Sequence, residues 1–139
     1  MQMIDVGIGI SQVLPVIVVA LHSSNGIVAI EQPELHIHPA FQVALGDLFI
    51  SQVKEQEVCF LLETHSEHLL LRLLRRIRET HENDLPIDAP SFTPNLLSIH
   101  FIEQAEKGMS VTQLGVDETG EFTNKWPRGF FEERDEELF

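Results

Sequence analysis

In the stretch GIVAIEQPELHIHP, residues 26–39, an apolar run ends in Glu31, Gln32 and Glu34, and His36 and His38 follow at once. A second apolar run, VCFLL, ends in the same manner in ETHSEH, which carries Glu63, His65 and His68. Carboxylates and imidazoles are the side chains that hold cations and move protons near neutral pH. An acid at the C-terminal end of a buried strand lies where open α/β sheets bind their ligands. A hard cation there takes oxygen ligands and keeps several waters, and a neighbouring acid can orient or deprotonate an attacking water. Glu31 fits the cation-holding position. A second chemistry takes the imidazoles at face value: Glu34, His36, His38, His65 and His68 could form the metal site of a hydrolase, with His65 and His68 on one helix face if their helix starts early. No recognised zinc-ligand spacing supports it. The plainer readings are a surface acid for Glu31, a helix cap or core role for His65, and packing or interface roles for His36 and His38.

The elements that must position these residues follow from periodicity and punctuation. From Ser11 to His22 the chain is apolar-rich, with Ser11 as a plausible cap and Pro15 in the first turn, and it reads as a mostly buried helix. SSNG at 23–26 is a turn. IVAIE at 27–31 and EVCFLLE at 57–63 are short continuous apolar runs, as expected for parallel strands covered on both faces. Pro39 opens a helix whose apolar residues Phe41, Ala44, Leu45, Leu48 and Phe49 keep helical spacing. THSE has the form of a capping box, with Thr64 or Ser66 as the cap and Glu67 reaching back. The helix after it places Leu70, Leu73, Leu74 and Ile77 on one face. Helix, strand, helix, strand, helix over residues 11–80 marks an α/β layer. Residues 81–95 read as a proline-rich loop. LLSIHFIEQ and MSVTQLGVD, joined by AEKG, read as a hairpin.

Composition bounds the function. The chain has 139 residues, 43% of them hydrophobic, which suits one globular domain, 1–139, with a real core. Its formal net charge of −13 argues against broad binding of nucleic acid by this chain alone. Arg72, Arg75, Arg76 and Arg78 are four of only nine basic residues and could form a local anion-facing patch, or simply a solvated helix face. The single cysteine, Cys59, reads as a buried structural thiol. The N-terminus lacks the basic region of a signal peptide, and VLPVIVVAL at 13–21 is far short of the roughly 20 residues that cross a bilayer, so a soluble, cytoplasmic protein without membrane contact is expected.

Several motifs together resemble a known family. IVAIEQPELHIHP resembles the Walker B segment of the ABC-type AAA ATPases related to the OLD, RecF and SMC families. FLLETHSEHLLLRL (60–73) resembles the stretch that holds their switch-histidine segment, here 60–68, and DVGIGISQVLPVI (5–17) their signature segment. WPRGFFEE, within the C-terminal hairpin and tail at 96–139, resembles the C-terminal signature of a less-characterised branch of ATP-binding AAA proteins. The resemblance implies a P-loop NTPase-like α/β fold, with a largely parallel sheet flanked by helices. It implies ATP and Mg²⁺ as cofactors, Glu31 as the magnesium acid and His65 as the switch histidine. Gln32 stands where that family carries its catalytic glutamate; a glutamine can hydrogen-bond a water but cannot take its proton. Glu34 is then a substitute base or a brace of the loop. Gly7, Gly9, Ser11 and Gln12 would form the signature surface, which in the family reaches nucleotide held by a second head, and His36 and His38 would fall at the dimer interface.

No G-x-x-x-x-G-K-[ST] occurs, and the three lysines, at 54, 107 and 125, lie outside any glycine-rich loop. The expectation is therefore the C-terminal half of an ATPase head (signature 5–17, Walker B 27–34). Its partner would be a Walker A half or a second head, in a homo-oligomer. The reading from a different class is a non-catalytic interaction module that does not bind ATP alone.

Overall fold

The computed structural model describes residues 8–125. The elements run α1 (Ile8–His22), β1 (Gly26–Glu31), α2 (Pro39–Gln56), β2 (Val58–Glu63), α3 (Glu67–Glu82), β3 (Ile99–Ala105) and β4 (Gly108–Leu114), with a short 3₁₀ turn at Pro94–Leu96. The chain forms two compact units. Among the described residues, the first comprises 8–73 and 87–90, and the second 74–86 and 91–125.

In the first unit β1 and β2 pair in parallel, from Gly26 opposite Val58 to Glu31 opposite Glu63. The connection between parallel strands must cross over the sheet, and α2 is that crossover. Ala20, Leu45, Phe49 and Leu69 form the buried centre, and Val13, Val16, Ile17, Ile30, Ile37, Leu48, Phe60 and Leu62 pack around it. The Phe49 and Phe60 rings lie 4.8 Å apart in a tilted pair, within the favourable range for aromatic contact. Gly46 lets α2 and α3 approach closely, because a Cβ there would press on the Arg72 side chain.

Among the described residues the strands are covered on one face only, not on both. Val28, Ile30, Phe60 and Leu62 are partly buried, whereas Ile27, Ala29, Cys59 and Leu61 alternate with them and are exposed. Cys59 is accordingly an exposed thiol and not a buried one. Helix α1 also differs from the expectation of a mostly buried helix, since Ile10, Leu14, Val18 and Leu21 are exposed along one flank. It begins at Ile8, ahead of Ser11, so Ser11 is a helical residue and not the cap. Pro15 then lies inside the helix, where it cannot donate the usual bond to the carbonyl four residues back. An unbroken apolar run in a sequence does not reveal which face another polypeptide would have to cover.

In the second unit β3 and β4 form an antiparallel hairpin, Ile99 opposite Leu114 through Ala105 opposite Gly108, as the sequence suggests. Asp117 organises the following loop: its Oδ1 accepts from Thr119 N, Thr119 Oγ1 and Glu121 N. The Thr119 hydroxyl and the Glu121 amide hold the Asp117 carboxyl below its ordinary range, against a small opposing effect of desolvation. Gly120 has φ +77°, and a Cβ there would collide with the Leu74 carbonyl. The arginine cluster is largely paired within the fold. Arg72 bonds Asp47 in the first unit, and Arg75 and Arg76 both bond Glu79 in the second. Burial pushes the Glu79 carboxyl up, but the hydrogen bonds and charges of Arg75 and Arg76 outweigh it and bring the carboxyl below its ordinary range. Among the described residues no helix is long and apolar enough to cross a membrane.

Candidate functional site

The site is built from the two loops that leave the C-terminal ends of β1 and β2. The strands finish in register, so Glu31 and Glu63 stand side by side on the exposed face. Glu63 ends an apolar run that matches the one before Glu31, and the parallel register is what sets the two side by side. The β1 ladder continues one step further, with Gln32 N donating to Glu63 O at 2.8 Å. The chain then turns sharply. Gln32 and His36 both take positive φ, 47° and 61°, a left-handed conformation uncommon for residues other than glycine. Such strain persists only where the surroundings enforce it, and it gathers at functional sites. Leu35 N donates to Gln32 O and Ile37 N to Glu34 O, which closes the turn.

Glu34 is the buried member of the acid set, with 9% of its surface exposed. Its Oε1 accepts from the His65 backbone N–H at 2.9 Å, which ties the loop after β1 to the loop after β2. Its Oε2 is buried and has no hydrogen-bond partner among the described residues. A second tie runs in parallel: Ser66 Oγ donates to Gln42 Oε1 at 2.7 Å, and Gln42 Nε2 donates to Ile37 O at 3.1 Å. The same Ser66 Oγ accepts from Leu69 N, so Ser66 is the residue that caps α3. Thr64 Oγ1 accepts from Ser66 N. Ser66 is one of the two caps the sequence offers. His38 caps α2, its Nδ1 accepting from Ala40 N at 3.2 Å.

Glu34, His36, Gln42, His65, Ser66, Glu67 and His68 with Leu35 line one open depression of about 440 Å³. The structure therefore brings Glu34 and His65 together. Glu31 lies on the strand end outside that lining, and Ser11 and Gln12 lie on α1, also outside it. Gly9 packs against the turn: a Cβ there would sit 2.6 Å from the His36 carbonyl oxygen. Gly7 lies outside the described residues, as does WPRGFFEE. For the metal-hydrolase reading, no group of three or more His, Cys, Asp or Glu among the described residues is placed to hold a metal ion. Gln42 was invisible to the sequence reading because nothing in a helical glutamine announces a cross-loop bond.

The architecture is thus an α/β unit whose paired strands deliver acids to one edge, followed by an antiparallel hairpin. Residues 2–70, which hold all of this site, match the family model of an AAA ATPase domain. Residues 93–139 match a family model described only as a protein of unknown function, DUF3696. No curated protein and no solved structure matches the chain. The first match supports a relationship to AAA-type ATPases over the segment from α1 to the start of α3.

Proposed function

We propose that this chain supplies the Walker B and switch-histidine part of an ABC-type AAA ATPase head. The observation that carries the reading is the Glu34–His65 N–H hydrogen bond, which fixes the switch loop beside the loop that follows the acid-tipped strand. Glu31 and Glu63, in register, are a donor set of hard oxygens that suits Mg²⁺, and a cation would relieve the repulsion between their adjacent charges. Magnesium bound there would neutralise phosphate charge. His65 faces the γ-phosphate side. Gln32 orients a water by hydrogen bonding, and Glu34 braces the loop or takes the water's proton. Gly7, Gly9, Ser11 and Gln12 form the signature surface toward a second head.

The phosphates themselves need a glycine-rich cradle and a lysine, which these 139 residues do not contain. A Walker A polypeptide or a second head provides them, in a nucleotide-sandwich homo-oligomer. Calorimetric titration of this chain with Mg-ATP tests the division of the site. The expected outcome is no tight binding; a dissociation constant in the micromolar range overturns it. The second reading, an interaction module without hydrolysis, draws on the exposed apolar flank of α1. Hydrolysis by the cradle-completed head, lost on Glu31→Gln, would exclude it.

A further inference from the structure

The second unit holds an open depression of about 430 Å³, between the last turns of α3, the 3₁₀ turn at Pro94 and the Asp117 loop. Its floor is apolar and fixed. Ile77 and Phe92 lie there, 1% and 4% exposed. Thr80 Oγ1 accepts from Phe92 N at 2.9 Å and donates to Arg76 O at 2.6 Å, which ties the incoming chain to α3. Pro94 adds an apolar wall. The mouth is polar and acidic. The Glu118 side chain is 83% exposed, and its ion-pair partner among the described residues is His81, 3.9 Å away and too far for a hydrogen bond. Helix α3 ends next to His81, at Glu82, and the C-terminus of a helix carries negative partial charge. Asn95 Oδ1 accepts from Thr93 Oγ1, and among the described residues nothing accepts from Asn95 Nδ2. An apolar pocket of this size with a few convergent polar groups is the usual form of a binding site.

We propose that this depression seats a segment of a second polypeptide in which an aromatic residue is followed by a basic one. The ring enters against Phe92 and Pro94, the cation of the next residue pairs with Glu118, and Asn95 Nδ2 donates to a backbone carbonyl of the segment. An aromatic side chain suits the floor because it brings a large apolar area at little cost in conformational entropy. Charge selects its neighbour. Glu118 and the end of α3 attract a cation at the mouth and repel an anion, and the net charge of −13 draws basic partners toward the chain. The site lies in the second unit and uses none of the residues assigned to Mg²⁺ or nucleotide.

The probe is the peptide acetyl-Gly-Trp-Arg-Gly-amide, titrated into the dilute ¹⁵N-labelled chain and followed by NMR. It should shift the amide signals of Phe92, Thr93 and Asn95 with a dissociation constant below about 1 mM. Acetyl-Gly-Ala-Arg-Gly-amide, which lacks the ring, and acetyl-Gly-Trp-Glu-Gly-amide, which reverses the charge, should each bind about tenfold more weakly. Glu118→Lys should exchange the preference, so that the Trp-Glu peptide becomes the tighter of the two. Glu118 is exposed, so this swap tests the contact and not the fold. Glu55→Lys in α2 changes the net charge by the same amount and should leave the preference as it is. Asn95→Ala should weaken binding about fivefold.

The proposal is overturned by the absence of shifts at those amides, by equal affinity for the three peptides, by a preference that Glu118→Lys does not exchange, or by wild-type affinity in Asn95→Ala. A preference lost in Glu55→Lys would make the attraction a property of the whole acidic chain, and overturns it as well. If Trp126→Ala tightens the probe about tenfold, residues 126–139 of this chain are the occupant. If the same amides shift with the concentration of the chain alone, the occupant is a second copy. Either result overturns the assignment to another polypeptide. Neither Mg²⁺ nor nucleotide enters the titration, so its failure leaves the Mg-ATP experiment to decide the ATPase reading, and the reverse holds equally.

Discussion

Glu34 and Glu31 stand three residues apart and are held in opposite ways, one buried and bonded to a backbone amide, the other exposed at a strand end. The difference has a consequence at the His65 amide. Glu34→Ala removes its acceptor, so its hydrogen exchange, followed by NMR, should accelerate about tenfold, the equivalent of roughly 1.4 kcal/mol for one lost bond. Glu34→Gln keeps an acceptor at Oε1 and should change that rate much less; equal acceleration in both variants would show that charge, not the bond, holds the loop. Glu79 offers the complementary test in the second unit. Its carboxyl is lower in the folded state than its ordinary value of 4.5 because Arg75 and Arg76 bond it, against the opposing effect of burial. A lowered carboxyl adds stability that is present above the ordinary value and lost as pH falls through the folded value. Glu79→Gln should therefore cost about 3 kcal/mol at pH 7, and the gap to wild type in urea unfolding should close below pH 4.5. A gap that does not change with pH would remove the ion pair as its cause. The i, i+4 and i, i+3 spacing of Arg75 and Arg76 to Glu79 is legible in the sequence, but the burial of Arg76 and Glu79 that gives the contact its weight is not.

At the scale of elements, α2 depends on an unusual start. His38 stands at the N-cap, and its Nδ1 accepts from Ala40 N, with Pro39 in the first helical position. His38→Ala should cost about 1 kcal/mol in thermal unfolding, and His38→Asp, a stronger cap, should restore the loss. If both variants melt alike, the cap contributes nothing. Helix α1 depends on Gly9, where a Cβ would meet the His36 carbonyl at 2.6 Å. Gly9→Ala must shift either the helix or the turn, so thermal unfolding should show a loss of about 1–3 kcal/mol. Strand and helix order was legible in the sequence, because Pro39, the apolar runs and the α2 periodicity act locally. The one-sided sheet was not. Ile27 and Leu61 are as apolar as Ile30 and Leu62, and only the path of the crossover decides which of them face the core. Ties between loops were equally hidden: Gln42 to Ser66 and Glu34 to His65 span 24 and 31 residues, beyond any local pattern.

The whole molecule sets a strong charge against exposed apolar surface. The net charge is −13 at pH 7, and the isoelectric point is about 4.8. Repulsion between like-charged chains opposes association at neutral pH and low salt, while the α1 flank of Ile10, Leu14, Val18 and Leu21 favours it. Lowering the pH toward 4.8 removes the net charge, and salt near 1 M shortens the screening length to about 3 Å. Light scattering should therefore report a chain that is least associated at pH 8 in low salt and increasingly associated under either change. Leu14→Gln with Val18→Gln leaves the charge untouched and interrupts the flank, so it should lower association under both conditions. If association rises equally in that variant, the attraction comes from another surface and α1 is not the adhesive face. If salt suppresses association instead of promoting it, contacts between opposite charges dominate, and the apolar flank has no part in holding copies together.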